Sequence, residues 1–101
     1  MFEASVQLKL YLLSQSERVG YDTFSGCVVR AESEEAARQI HPKGDRVWRG
    51  EDWWWTDNEW WPRGPTHDRT WTSPDNVEVT YLGEAKLGDL PGVVLTDFRA
   101  G

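Results

Sequence analysis

The chain predicts an α+β domain. It reads as a mostly antiparallel four-stranded sheet with one short helix, in the order β-β-α-β-β, and a tryptophan-rich insertion before the third strand. Three observations predict this. Residues 5–13, "SVQLKLYLL", alternate with the period of a strand. Residues 32–42, "ESEEAARQIHP", carry a cap, a small apolar stripe and a proline stop. The turn residues "SPDN" at 73–76 stand directly before another strand-like run.

Each element follows from local chemistry. In the first strand Val6, Leu8, Leu10 and Leu12 share one face, and Gln7, Lys9, Tyr11 and Leu13 share the other. Residues 14–26 are polar with two glycines and read as a long loop or an extended hairpin connection. "CVVRA" at 27–31 is the second strand. Ser33 is the expected N-cap of the helix, with Glu34 and Glu35 in its first turn, where the helix dipole favours acids. Ala36, Ala37 and Ile40 form its buried stripe, Glu34 pairs with Arg38 at i,i+4, and Pro42 ends it. "SPDN" is a type I turn by composition. "VEVTYL" at 77–82 is the third strand of the sheet, with Val77, Val79 and Tyr81 inward. "VVLTDF" at 93–98 is the fourth.

Composition bounds the class. With 101 residues the chain suits one domain, 1–101, and 13% aromatic content sets it apart from disordered chains despite a mean hydropathy of −0.66. A net charge of −6 works against phosphate backbones and anionic membranes, so no nucleic-acid or membrane partner is expected. One cysteine, Cys27, rules out an internal disulfide. The N-terminus lacks a basic region before its apolar residues, so it does not read as a signal peptide, and no run nears the length of a membrane span. A cytoplasmic location is the expectation.

No catalytic signature stands out. A metal site would have to join His41 and His67 with Cys27, Asp45 or Asp68, and no metal-ligand spacing is present. His67 beside Asp68 is the only hint of an oriented imidazole, and sequence neighbours usually point apart. Cys27 lies in an apolar strand, where a buried, inert thiol is the usual outcome. The expectation is therefore no enzyme, no cofactor and no metal.

All seven tryptophans lie in residues 43–72. In an extended "WWW", Trp53 and Trp55 point one way and Trp54 the other, so a core on one side leaves an indole outside it. The plain reading makes these residues core, since a small domain short of aliphatics can fill itself with indoles. The sharper reading makes them a partner surface. Trp53, Trp54, Trp55, Trp60 and Trp61 are then the contact residues, Arg49 and Arg63 stack on them, and Glu51, Asp52, Asp57 and Glu59 select a basic patch.

"KLYLLSQS", "GYDTFSGCVVRAESEEAARQIHP", "WTSPDNVEVTYLGEA" and "GVVLTDFRAG" resemble a group of small bacteriophage and prophage proteins with no established activity. The resemblance covers both ends of the chain and leaves out residues 43–70, where the tryptophans cluster. It implies a phage or prophage setting and assigns no site residue. Together these readings give a non-enzymatic protein that binds a host or phage protein, with inhibition of a host defence component as one version. The alternatives are a self-associating virion or assembly component, and a small ligand-binding domain or enzyme built on His67 and Asp68.

Overall fold

The computed structural model describes residues 7–56, 64–86 and 88–99. Four strands form an antiparallel sheet: β1 (Lys9–Ser14), β2 (Thr23–Ala31), β5 (Glu78–Glu84) and β6 (Gly92–Arg99), in the order β5-β1-β2-β6. The helix α1 (Glu34–Arg38) follows β2. Two short strands, β3 (Arg46–Trp48) and β4 (Trp53–Trp55), make a separate hairpin within the tryptophan segment. A single 3₁₀ turn, Pro74–Asn76, leads into β5. The α+β class and the antiparallel sheet are as expected; β3 and β4 add two strands that were not.

β2 begins four residues earlier than its apolar run suggests, because Gln15 orders the preceding loop. The buried Gln15 amide donates to the carbonyls of Phe24 and Arg18, both at 2.7 Å, and accepts from the Arg18 N–H at 2.7 Å. Polar loop backbone is thereby satisfied from inside. A bulge at Ser25 and Gly26 then admits the chain to the sheet. A Cβ built on Gly26 would stand 2.7 Å from the Leu13 carbonyl oxygen, so only glycine fits there.

The helix starts as its composition dictates: Ser33 Oγ accepts from the Ala36 N–H at 3.1 Å. Arg38 meets Glu34 at 3.6 Å and reaches over to donate to the Val77 carbonyl at 2.5 Å. The helix ends earlier than the stop at Pro42 implies. Gln39 and Ile40 bond to carbonyls three residues back, and His41 leaves the helix for the interior.

One face of the sheet carries the core. Tyr11 and Leu13 of β1 and Phe24, Cys27, Val29 and Ala31 of β2 pack with Ala37, Val77, Trp53 and Trp71. In β1 it is therefore the face with Tyr11 and Leu13 that is buried, while Leu12 turns outward. Tyr81 corrects an expectation. It is 55% exposed, lying edge-on to Tyr11 at 5.9 Å on the outermost strand, and its hydroxyl donates to Glu84 at 2.7 Å. β5 stands at the end of the strand order, so Tyr81 keeps the face of its partner Tyr11 but remains largely in solvent; the register shift at Leu10/Tyr11 follows it, at Leu82. No helix among the described residues is long and apolar enough to cross a membrane.

Candidate functional site

The β3–β4 hairpin sorts its side chains by register. Trp48 pairs with Trp53 and Arg46 with Trp55 on one face; Val47 pairs with Trp54 on the other. The backbone of residues 64–66 runs along the free edge of β4, with Trp55 N–H donating to the Gly64 carbonyl at 3.0 Å and Thr66 N–H to the Trp53 carbonyl at 2.9 Å. Three consecutive tryptophans are thus held extended between two neighbours.

Trp53 belongs to the core, which removes it from the expected contact surface. It is 1% exposed, its Nε1 donates to the Thr72 carbonyl at 2.8 Å, and its ring meets those of Trp48 and His41 edge-on at 5.4 and 5.0 Å. Alternation that points inward at a covered face buries it. Trp54 and Trp55 are half-buried. The Arg49 guanidinium lies 4.9 Å from the Trp54 ring centre and that of Arg46 lies 4.0 Å from Trp55. The expected Arg49 stack is therefore present. Trp60, Trp61, Arg63, Asp57 and Glu59 lie outside the described residues.

The two acids that open this segment divide. Glu51 is exposed. Asp52 instead holds backbone: its carboxylate accepts from the N–H groups of Trp53 at 2.7 Å and His67 at 2.9 Å. It organises the chain beneath the tryptophans, so it is a structural acceptor before it is a recognition acid. His67, with a left-handed backbone at φ 52°, places its Nδ1 3.6 Å from Asp52. The suggested His67–Asp68 couple does not form.

Asp68 pairs with His41, in a cluster the sequence did not announce. Asp68 Oδ2 accepts from His41 Nε2 at 2.7 Å and stands 3.1 Å from Arg46 Nε, an ion-pair contact off the line of a hydrogen bond. Asp68 Oδ1 accepts from the N–H and hydroxyl of Thr70, at 2.7 and 2.6 Å. The three side chains of His41, Asp68 and Arg46 are 0%, 2% and 6% exposed. Burial alone raises a carboxyl pKa, but the hydrogen bonds from His41 and Thr70 outweigh it and hold Asp68 well below its usual range. Burial lowers His41, and this wins over the raising pull of Asp68. The second ring nitrogen, Nδ1, accepts from the Lys43 N–H at 3.0 Å, which fixes the proton on Nε2 and occupies the lone pair a base would use. This His–Asp pair is a sealed structural joint between α1's end and the tryptophan segment. One sequence signal pointed to it: Asp68 and Thr70 stand at the i, i+2 spacing of an Asx turn.

Cys27 is buried, and burial pushes its thiol up to about 12, which keeps it a neutral, unreactive core residue. Among the described residues no group of three or more His, Cys, Asp or Glu side chains is placed to hold a metal ion.

A hollow of about 350 Å³ opens beside this joint. Trp48, Trp53 and Trp71 line it together with the acids Glu17, Glu51, Asp52 and Asp68 and a single base, Arg18. Trp71 is core, and its Nε1 has no acceptor among the described residues. Glu17 and Arg18 come from the loop that Gln15 orders, so distant parts of the chain meet here. Trp48, half-buried, is the indole that reaches the hollow, with Trp53 and Trp71 buried behind it; an indole face beside carboxylates can hold a cation, since the ring attracts it and the carboxylates accept its N–H groups. No protein-family model, curated protein or solved structure matches this chain.

Proposed function

We propose that this is a non-enzymatic binding domain that takes a basic segment of a protein partner. The phage or prophage setting implied by the resemblance of its ends makes a host protein the natural partner class. A Lys or Arg side chain enters the hollow between Trp48 and the carboxylates of Glu17 and Glu51. The Arg49-stacked Trp54 and Val47 extend the contact onto the outer face of the hairpin. The observation that carries this reading is the meeting of the half-buried Trp48 with the exposed carboxylates of Glu17 and Glu51 around one hollow with a single opposing base, Arg18. A cation there gains ring-face attraction in a partly desolvated site, where such contacts reach about 2 kcal/mol. The inhibition of a host defence component is one role such a binder fills.

The test uses Glu17→Lys with Glu51→Lys. Both residues are exposed, so the fold tolerates the change. Arginine- and lysine-bearing tripeptides are titrated into labelled protein and the indole N–H signals are followed by NMR. The expected result is a shift of the Trp48 signal in the wild type and its loss in the double variant, with the same variant losing proteins captured from bacterial lysate. Equal shifts in both proteins, or none in the wild type, defeat the reading.

A further inference from the structure

The sheet has a second face, away from the tryptophans, and its side chains break the usual rule. An antiparallel sheet covered on one side presents polar residues on the other. Here the register sets three rows across that open face. The middle row is Thr80, Leu12, Val28 and Leu95, apolar in three of its four positions. Leu95 is 66% exposed and Leu82, two residues beyond Thr80, 51%. At one end lies the row Glu78, Ser14, Gly26 and Asp97, with two acids. At the other lies Arg30, whose Nε donates to the Leu90 carbonyl at 2.7 Å and whose guanidinium stands 4.0 Å from Asp89.

We infer that this face pairs with the same face of a second copy, forming a two-sheet sandwich across a two-fold axis perpendicular to the strands. Charge selects the axis: Arg30 is shared with Asp89, so its end is near neutral and can cover the acidic row without repulsion, and the face thereby complements itself. A two-fold perpendicular to the strands swaps the ends, so the Arg30 end of each copy covers the Glu78 and Asp97 end of the other. The middle row then meets its own image. A two-fold parallel to the strands would set carboxylates on carboxylates. Such self-complementarity is what an isologous contact requires. The face is about 19 Å wide, from four strands at about 4.8 Å, and about 20 Å long, from six residues at about 3.3 Å. That flat footprint of about 400 Å² per copy, about 800 Å² for the pair, falls in the range of weak, transient contacts, so the dimer expected dissociates at about 10–500 µM. The contact is independent of the tryptophan hollow, which occupies the opposite side.

Sedimentation equilibrium from about 1 to about 500 µM measures it. The wild type should form a dimer. Leu95→Glu, at a residue already exposed, should keep the far-UV circular dichroism and raise the dissociation constant at least ~10-fold. Arg30→Glu alone should weaken the dimer, and adding Asp97→Arg should restore it. Trp54→Ala should leave it unchanged. A wild type that stays monomeric throughout, a Leu95→Glu dimer of unaltered strength, or a dimer lost on Trp54→Ala each overturns the proposal. Failure of Asp97→Arg to rescue Arg30→Glu overturns the assigned axis. A monomer that copurifies with a different chain on this face would give the face to a foreign partner and overturn self-pairing.

Discussion

Replacing Asp68 by asparagine tests whether the buried cluster holds the two halves of the fold together. The change keeps shape and removes one charge. The new amide oxygen can still face Thr70, where three donors converge on the present carboxylate: the Thr70 N–H and hydroxyl and the Trp71 N–H at 3.2 Å. Its NH₂ then faces His41 Nε2–H and Arg46, donor against donor. His41 cannot relieve this by moving its proton, because Nδ1 already accepts from Lys43. Arg46, 6% exposed, loses its buried counter-charge and is left with the more exposed carboxylate of Asp45. Breaking such a pair costs about 3–5 kcal/mol. Against a total stability of about 5–15 kcal/mol for a small domain, that is about a fifth or more. At roughly 4–8 °C per kcal/mol, the melting temperature should fall by at least about 12 °C. Urea unfolding followed by tryptophan fluorescence reads it, with the midpoint falling and the slope unchanged. Arg69→Gln, an exposed neighbour, should change stability by less than about 0.5 kcal/mol. Adding Arg46→Met to Asp68→Asn should recover part of the loss, since the guanidinium that lost its buried partner is then gone. A loss under about 1 kcal/mol for Asp68→Asn would refute the account.

Stability should fall in two stages as pH is lowered. His41 sits below its ordinary 6.5 in the folded chain, so the unfolded chain takes up the proton first; this contribution is complete above pH 6.5 and drains away below it. Asp68 sits below its ordinary 3.8, so its contribution is complete above that value and is lost only in stronger acid. Urea midpoints measured between neutral pH and about pH 1.5 should show both stages, and His41→Gln should erase the upper one while sparing the lower. Gly26→Ala should cost about 1–3 kcal/mol, because its Cβ meets the Leu13 backbone oxygen and backbone must move. Thermal unfolding of that variant at wild-type temperature would show that the bulge has room to spare.

What was legible in the chain was what neighbours in sequence decide. The Ser33 cap, the Glu34–Arg38 pair and the turn at Pro74 are all set within four residues, and each stands where composition placed it. The four long strands were legible for the same reason. Which face of β1 turns inward was not. Leucines occupy positions 8, 10, 12 and 13, so alternation alone leaves both faces plausible, and the choice falls to the partners that Tyr11 and Leu13 find across the sheet. The register shift at Leu10/Tyr11 is likewise a property of two paired strands and not of either alone. The hairpin of β3 and β4 was hidden by its brevity: three residues a side carry too little periodicity to register. The candidate site was legible in part. Trp54 with Arg49 and the exposed Glu51 stand together, whereas Trp53 went to the core and Glu17 and Arg18 arrived from a loop over thirty residues away. His41 and Asp68, 27 residues apart, meet only once both segments have packed.

The burial of Trp53 and Trp71 explains a second feature of the composition. Each indole can remove about 150–250 Å² from water, so two of them do what several aliphatic side chains would otherwise do on the covered face. With that side of the sheet filled from the tryptophan segment, Leu12, Val28 and Leu95 are not needed there, and the register puts them on the other side. If those positions had no partner, polar residues would serve the sheet equally well at lower risk of aggregation, since a solvated face asks only for β-forming side chains such as the Thr80 in the same row. Leucine and valine where threonine would suffice are what the proposed pairing of this face accounts for. The tryptophans therefore bear on both faces: Trp48 borders the hollow proposed to take a cation, and by closing the core Trp53 and Trp71 release the aliphatics of the proposed outer seam.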